Sequence, residues 1–327
     1  MHISTLGIIA GGYSGEAEVS YRSSATLMDQ LKDTPWEVVL ITLTKEAWTA
    51  HWKNKKIEVD KNDFSFKTPE GNHKIDYAYI IIHGTPGEDG RLQGYLDMLD
   101  IPYSTGDPLN MSLTFNKGAT QRSLKARGIQ VSDFVQVRKG EAINKDAIIT
   151  AVGLPCFVKP AEAGSSLGAS KVKTMEDLLP ALDKVFHVDD EAMIERYLVG
   201  RELTCGVIRY KGKVIALPIT EIISSNEFFD YAAKYDPTAA QEITPAEIGE
   251  EATGHCQAIA KDIYGMLNCK GIIRIDFFLC GTELFVVEVN TVPGFSKESI
   301  VPQQLRAAGL SIKEVLMDII ETTSTKA

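Results

Sequence analysis

Long apolar runs are missing from this chain of 327 residues. No stretch approaches the ~18 apolar residues that a membrane-spanning helix needs, so no membrane is expected as a partner. The opening residues, Met1 to Gly7, have neither a basic start nor a long apolar segment, and they are not read as a secretory signal. Positive charge is also short. Lys and Arg number 34 against 44 Asp and Glu, giving a formal net charge of -10. An acidic surface repels phosphate backbones, which argues against nucleic acid. Any phosphate ligand must then be held by a local cluster of Lys, Arg, backbone N–H or metal. Cysteine is sparse: Cys156, Cys205, Cys256, Cys269 and Cys280 are scattered, with no C-x-x-C pair. They are read as reduced thiols in the cytoplasm, not as a disulfide framework. Two nucleotide fingerprints are absent as well. No Gly-Lys-Ser/Thr closes a Walker loop, and Gly11-Gly12-Tyr13-Ser14-Gly15 does not fit the G-x-G-x-x-G of a dinucleotide-dependent dehydrogenase.

What is present is an ordinary globular composition, 44% hydrophobic and 24% charged, in a chain long enough for two or three domains. Roughly the first 110 residues alternate strand and helix in the manner of βαβ units. Leu6 to Ala10 is a short apolar strand ending in Gly11-Gly12, and a helical pattern follows from about Glu18. Glu37 to Leu43 reads as another strand. Tyr77 to Ile82 is almost wholly apolar, as a strand covered on both faces would be, and stops at His83-Gly84. Ligands gather at the C-terminal ends of such strands, which draws Glu16 and His83 together. Further on, helices are expected over Leu92 to Leu99, Asn116 to Arg127, Met175 to Phe186 and Ala246 to Leu267, with two short helices at the end. Strands are expected at Leu154 to Val158, Ala192 to Glu195 and either side of Lys211-Gly212-Lys213. A last hairpin runs from Gly271 to Cys280 and from Leu284 to Val289. Ser224 to Thr244 lacks periodicity and is long for a structureless loop, which favours a lid.

The hairpin carries the strongest chemistry. Arg274 and Asp276 are two apart on one strand, and Glu288 and Asn290 two apart on the next, so each pair shares a face. Paired, they gather two carboxylates and an amide oxygen, hard ligands suited to Mg²⁺ beside phosphate. The plainer reading is a solvated face on an amphipathic hairpin; the strongly apolar flanks, Ile-Asp-Phe-Phe-Leu and Leu-Phe-Val-Val-Glu-Val-Asn, favour the metal. Lys159 precedes Ala163-Gly164-Ser165-Ser166-Leu167-Gly168, where small residues let backbone N–H groups approach a phosphate. Alone, that loop is equally a common turn. His83-Gly84-Thr85-Pro86-Gly87-Glu88-Asp89-Gly90-Arg91-Leu92-Gln93-Gly94 opens a helix, and His83 reads equally as a satisfied histidine at a strand end.

Together and in this order, these segments resemble the D-alanine–D-alanine ligase family of the ATP-grasp superfamily, over nearly the whole chain. Gly11 to Ser20 resembles the family's first loop. His83 to Gly94 matches its first signature, and Arg274 to Gly294 its second. Two positions depart from the pattern: Ala17 stands where an Arg is common, and Asn116 before Lys117 where an Asp is common.

The resemblance implies an α/β fold: an N-terminal open parallel α/β domain followed by a two-part ATP-grasp α+β module. It divides the chain at 1–113, 114–206 and 207–327. Lys117, Lys159, Ser165, Ser166 and Lys234 would hold the nucleotide phosphates, with Glu195, Leu198 and Glu202 at adenine and ribose. Asp276, Glu288 and Asn290 would hold two Mg²⁺ or Mn²⁺ ions. Glu16, Ser165 and Tyr235 would close the site. Glu16 and His83 would meet the first D-alanine, and Ser299 the carboxylate of the second. Arg274 and the Gly294 N–H would stabilise a tetrahedral oxyanion, a donor typically worth ~3–4 kcal/mol. The implied reaction is ATP-dependent ligation of two D-alanines for peptidoglycan, through an acyl phosphate, by a cytoplasmic homodimer. D-serine or D-lactate as second substrate is the nearest alternative, and Lys234-Tyr235 in the lid favours D-alanine over D-lactate. A nucleotide-binding protein without catalysis is the remaining alternative.

Overall fold

A computed structural model describes residues 3–164, 167–224 and 240–324. Three sheets, each with its own apolar layer, surround one cleft. The first has five strands in the order Lys55–Glu58, Trp48–Trp52, Glu37–Leu43, Thr5–Gly11, Tyr77–Ile80. Thr5–Gly11 pairs in parallel with both neighbours, Glu37–Leu43 and Tyr77–Ile80, so their C-terminal ends lie side by side. Alternation decides what covers each face. Leu6, Ile8, Tyr77 and Tyr79 pack with Leu27 and Leu31 of the helix Ala17–Leu31. Ile9, Ala78 and Ile80 pack with Leu92 and Leu96 of the helix Arg91–Met98. The sheet is parallel only in this inner part. Trp48–Trp52 and Lys55–Glu58 add an antiparallel hairpin at one edge, turning through Lys53 and Asn54 at φ 44 and 65.

The second sheet is wholly antiparallel, in the order Ser170–Val172, Cys156–Pro160, Glu191–Arg196, Phe134–Arg138. Cys156, Val158, Ala192 and Ile194 face the helices Lys145–Val152 and Leu178–Phe186. The intervening Phe157, Lys159 and Glu195 line the cleft.

In the third sheet Arg201–Tyr210 lies between Thr220–Ser224 and Ile272–Cys280, with Glu283–Asn290 and Ala240–Ile243 outermost and Lys213–Ala216 pairing the far end of Arg201–Tyr210. The strand Arg201–Tyr210 runs through residue 206, where the sequence suggested a boundary. Ala240–Ile243 pairs with Thr220–Ser224, so the stretch over 224–244 read as a lid without periodicity ends in strand; 225–239 lie outside the described residues. One face of the sheet packs on the helix Glu250–Met266 through Leu203, Cys205, Ile273, Ile275, Phe277 and neighbours. The helices Ile300–Ala307 and Ile312–Thr323 send Val301, Leu305, Val315 and Ile319 into a core shared by the first and third sheets. Among the described residues no helix is long and apolar enough to cross a membrane.

Candidate active site

The three sheets enclose a cleft of about 1350 Å³, above the few hundred to ~1,000 Å³ usual for one small ligand. Glu16, His83, Lys117, Lys159, Glu195, Leu198, Glu202, Arg274, Asp276, Glu288, Asn290, Gly294 and Ser299 all line it. Ser165, Ser166, Lys234 and Tyr235, the other residues singled out in the sequence, lie outside the described residues.

One extra residue sets the floor of this cleft. Asp276 pairs with Glu288 and Arg274 with Asn290, but Phe277 pairs with Val286, leaving Val287 as a bulge. The bulge shifts the phase of the strand. Leu284, Val286 and Val289 all reach the core, although the last two are three apart. Without it, strict alternation would carry Glu288 and Asn290 inward with Leu284 and Val286. With it, they face the cleft beside Arg274 and Asp276. The Arg274 guanidinium donates to both Asp276 oxygens at 2.8 Å, a bidentate pair. Thr204 Oγ1 donates to Asp276 Oδ1 at 2.6 Å and Asn290 Nδ2 to Oδ2 at 3.0 Å. Two carboxylates on paired residues, with an amide beside them, fit a hard divalent cation whose other positions go to phosphate and water. Asp276 would exchange one of its four hydrogen bonds for the ion, and the Asn290 amide would present its oxygen.

On the second sheet Lys159 Nζ lies 2.7 Å from Glu195 Oε1, with side chains only 9% and 12% exposed. Sequence reasoning sent these two to opposite ends of a nucleotide; the structure joins them as a buried ion pair. Breaking such a pair from one side leaves an uncompensated charge, whereas replacing both partners by apolar groups is often neutral. Lys159→Met is therefore expected to destabilise by about 3–5 kcal/mol, and Lys159→Met with Glu195→Leu to recover most of that. Denaturant melts check both, and equal loss in single and double variants would remove the pair as the cause. Nearby, Lys117 Nζ donates to Ala163 O at 2.6 Å, so this lysine is tied to the glycine loop. It begins a helix capped by Asn116, whose Oδ1 accepts from Ala119 N at 2.9 Å.

The opposite wall comes from the first sheet. Ser14 Oγ donates to His83 O at 2.9 Å and accepts from Glu16 N at 3.2 Å, joining the two strand ends that the sequence placed together. A Cβ on Gly164 would strike the Glu16 carboxylate, so the glycine loop can approach this closely only without a side chain. His83 is buried and its Nε2 has no hydrogen-bond partner among the described residues. Burial holds its pKa well below the ordinary 6.5, with Glu16 working the other way. Gly294 and Ser299 are neighbours: a Cβ on Gly294 would lie 3.3 Å from Ser299 Oγ.

Two further groups, neither assigned from the sequence, hold the site's residues in place. Thr204 is one. The other is Glu88, which accepts from Gly84 N at 2.7 Å and Val292 N at 3.4 Å, clamping the His83 turn to the loop that leads to Gly294. Burial pushes its pKa up to about 8, Glu16 adds to this, and the two amides oppose it. The only available signal was its place in the His83 to Gly94 motif. A carboxyl raised in the fold makes stability fall as pH climbs from its ordinary 4.5 toward 8. His83, lowered, costs stability only below 6.5, so between pH 6.5 and 8 the decline belongs to Glu88. Glu88→Gln loses one amide bond, since its NH₂ meets an N–H, but has nothing to ionise. It is expected to be less stable than wild type at pH 5, with the gap closing toward pH 8. Parallel thermal melts read this, and a constant gap would refute it.

Profiles of the D-ala D-ala ligase N-terminus and C-terminus match residues 5–106 and 123–321. The D-alanine–D-alanine ligase of Phocaeicola vulgatus is 44% identical over 97% of this chain and 98% of its own length. The crystal structure of D-alanyl-alanine synthetase A from Vibrio cholerae superposes with a TM-score of 0.89 at 27% identity, covering 100% of both chains. That of D-alanine–D-alanine ligase from Bacillus anthracis complexed with ATP gives 0.79 at 32% identity, covering 99% of this chain and 97% of that one. With both profiles matched and likeness running end to end, the chain belongs to the D-alanine–D-alanine ligase family.

Proposed function

We propose that this chain joins two D-alanines into D-alanyl-D-alanine at the expense of ATP, for peptidoglycan precursor synthesis in the cytoplasm. The observation that carries the reading is the convergence of Glu16, Lys159, Arg274, Asp276, Glu288 and Asn290 on one cleft in a chain of this family. ATP would lie between the second and third sheets, its phosphates toward Lys117, Lys159 and the glycine loop. Glu195, Leu198 and Glu202 line the adenine and ribose end. Glu16 takes the ammonium of the first D-alanine, beside a His83 kept neutral by burial, and so turns that carboxylate toward the γ-phosphate. Mg²⁺ or Mn²⁺ held by Asp276, Glu288 and Asn290 supplies positive charge where carboxylate and phosphate would repel.

Attack of the first D-alanine's carboxylate on the γ-phosphate would form D-alanyl phosphate and release ADP. The amine of the second D-alanine, its carboxylate at Ser299, then attacks the acyl carbon, loses a proton and expels inorganic phosphate. Asp276 fixes the Arg274 guanidinium in one orientation, and that donor and the Gly294 N–H meet the oxyanion as it forms. Lys234, Tyr235, Ser165 and Ser166 are proposed from sequence alone as the groups that close over the phosphates, and the homodimer and the three-part division likewise. Sedimentation at the monomer mass would remove the dimer. The decisive assay measures phosphate release from ATP and Mg²⁺ with D-alanine, L-alanine, or D-alanine plus D-serine or D-lactate, products identified by mass. D-alanyl-D-alanine from D-alanine alone is the expected outcome. A mixed product only would move the second-substrate assignment, and ATP binding without turnover would remove catalysis.

A further inference from the structure

Across the third sheet a single buried side chain stands in for a missing strand. The strand Arg201–Tyr210 is paired on its outer side by Thr220 to Ile222 as far as Thr204, and by Lys213–Ala216 from Val207 onward. Between these two pairings Gly206 O accepts from Leu217 N at 2.8 Å, while Gly206 N and Thr204 O turn to a side chain. Gln304, wholly buried on the helix Ile300–Ala307, fills the gap. Its Nε2 donates to Thr204 O at 2.9 Å and Thr220 Oγ1 at 3.1 Å, and its Oε1 accepts from Gly206 N at 2.9 Å. The approach requires glycine at 206, where a Cβ would lie 2.6 Å from Gln304 Oε1.

Both ends of this bridge lead to the cleft. Thr204 is the residue whose hydroxyl holds Asp276 at 2.6 Å. Gln304 is five residues beyond Ser299, about 7.5 Å along the same helix, and Ser299 Oγ accepts from Ser296 N at 3.0 Å on the loop from Gly294. Val301 and Leu305, not Gln304, supply this helix's apolar anchorage in the core. The amide's contribution is therefore the register between helix and strand.

We propose that Gln304 is a positioning residue for the second D-alanine: it fixes the Ser299 end of its helix against the strand that carries Thr204 and, through it, Asp276. The inference rests on the assignment of Ser299 to the second substrate given above. Gln304→Met keeps the volume and removes all three bonds. Misplacing a substrate group from outside the chemistry costs up to about a hundredfold. Gln304→Met is expected to raise KM for the second D-alanine by about tenfold or more, with KM for ATP and for the first D-alanine within about twofold.

The test fits separate constants for the two D-alanine sites in wild type, Gln304→Met, the milder Thr220→Val, and Tyr77→Phe. Tyr77→Phe removes a part-buried hydrogen bond to Thr323, and neither residue lines the cleft. Thr220→Val is expected to shift the same constant less, and Tyr77→Phe to lower the melting temperature without moving it. A uniform loss across all three substrates in Gln304→Met, or an unchanged second constant, overturns the proposal. Should Gln304→Met not fold, Thr220→Val decides by the same criterion. Wild type failing to make D-alanyl-D-alanine would instead defeat the function proposed for the chain, so the two failures are separable.

Discussion

Arg274→Met is expected to lower dipeptide formation by about a hundred- to a thousandfold, the usual cost of removing one oxyanion donor. The geometry makes the prediction sharper than a charge deletion. Asp276 grips the guanidinium through Nε and one Nη at 2.8 Å each, which fixes its orientation, and Arg274 lines the cleft. Arg274→Lys keeps the charge but not the fork, and is expected to recover little of the loss. Because the proposed role lies in the second step, the acyl phosphate should still form and be lost to water. Phosphate release should therefore fall less than dipeptide formation, and the ratio of the two is the quantity to measure. Both products falling in step would move Arg274 to the first step. Turnover within about fivefold of wild type, far short of one oxyanion donor's worth, would remove it from the chemistry.

Much of this arrangement can be read from sequence, and the exceptions have physical causes. Tyr77 to Ile82 announces a doubly covered strand because almost every residue is apolar. Helices such as Lys117–Lys125, expected over Asn116 to Arg127, and Leu178–Phe186, expected over Met175 to Phe186, sit close to where their patterns put them. The hairpin Trp48–Trp52 and Lys55–Glu58 went unread because an edge strand half open to water carries lysines where a core strand carries valines. The helix expected from Ala246 begins at Glu250, after Gly249 takes φ 82.

At the site, residues whose type announces chemistry were legible: Arg274, Asp276, Glu288, Asn290, Lys159. Those that act through placement were not. Thr204 and Gln304 are ordinary strand and helix residues until the sheet brings them to Asp276 and Gly206. The ion pair of Lys159 with Glu195 joins residues 36 positions apart across neighbouring strands, a relation no local pattern carries. The bulge at Val287 has no local signal either, yet it decides which way Glu288 points.

That bulge leads to the other large effect. Glu288→Gln preserves shape, keeps an acceptor for the Asn290 amide, which lies 3.5 Å from Glu288 Oε1, and removes one of the two carboxylates facing each other across the hairpin. If the paired acids hold a divalent ion, the loss falls on metal affinity before anything else. Altering residues behind a metal ligand costs about 10–100-fold in affinity or activity, and losing a charged ligand itself should exceed that. Turnover at fixed low Mg²⁺ is expected to fall by at least about a hundredfold. The apparent Mg²⁺ requirement should rise in proportion, with part of the activity returning at high Mg²⁺ or Mn²⁺. A residue that served only to pack the hairpin would give the opposite signature: a lower melting temperature, reduced activity at every metal concentration, and an unchanged half-saturation. The metal titration separates these cases without any knowledge of the absolute rate. An unchanged Mg²⁺ requirement in folded Glu288→Gln would mean that the bulge turns this carboxylate into the cleft for some purpose other than holding the ion.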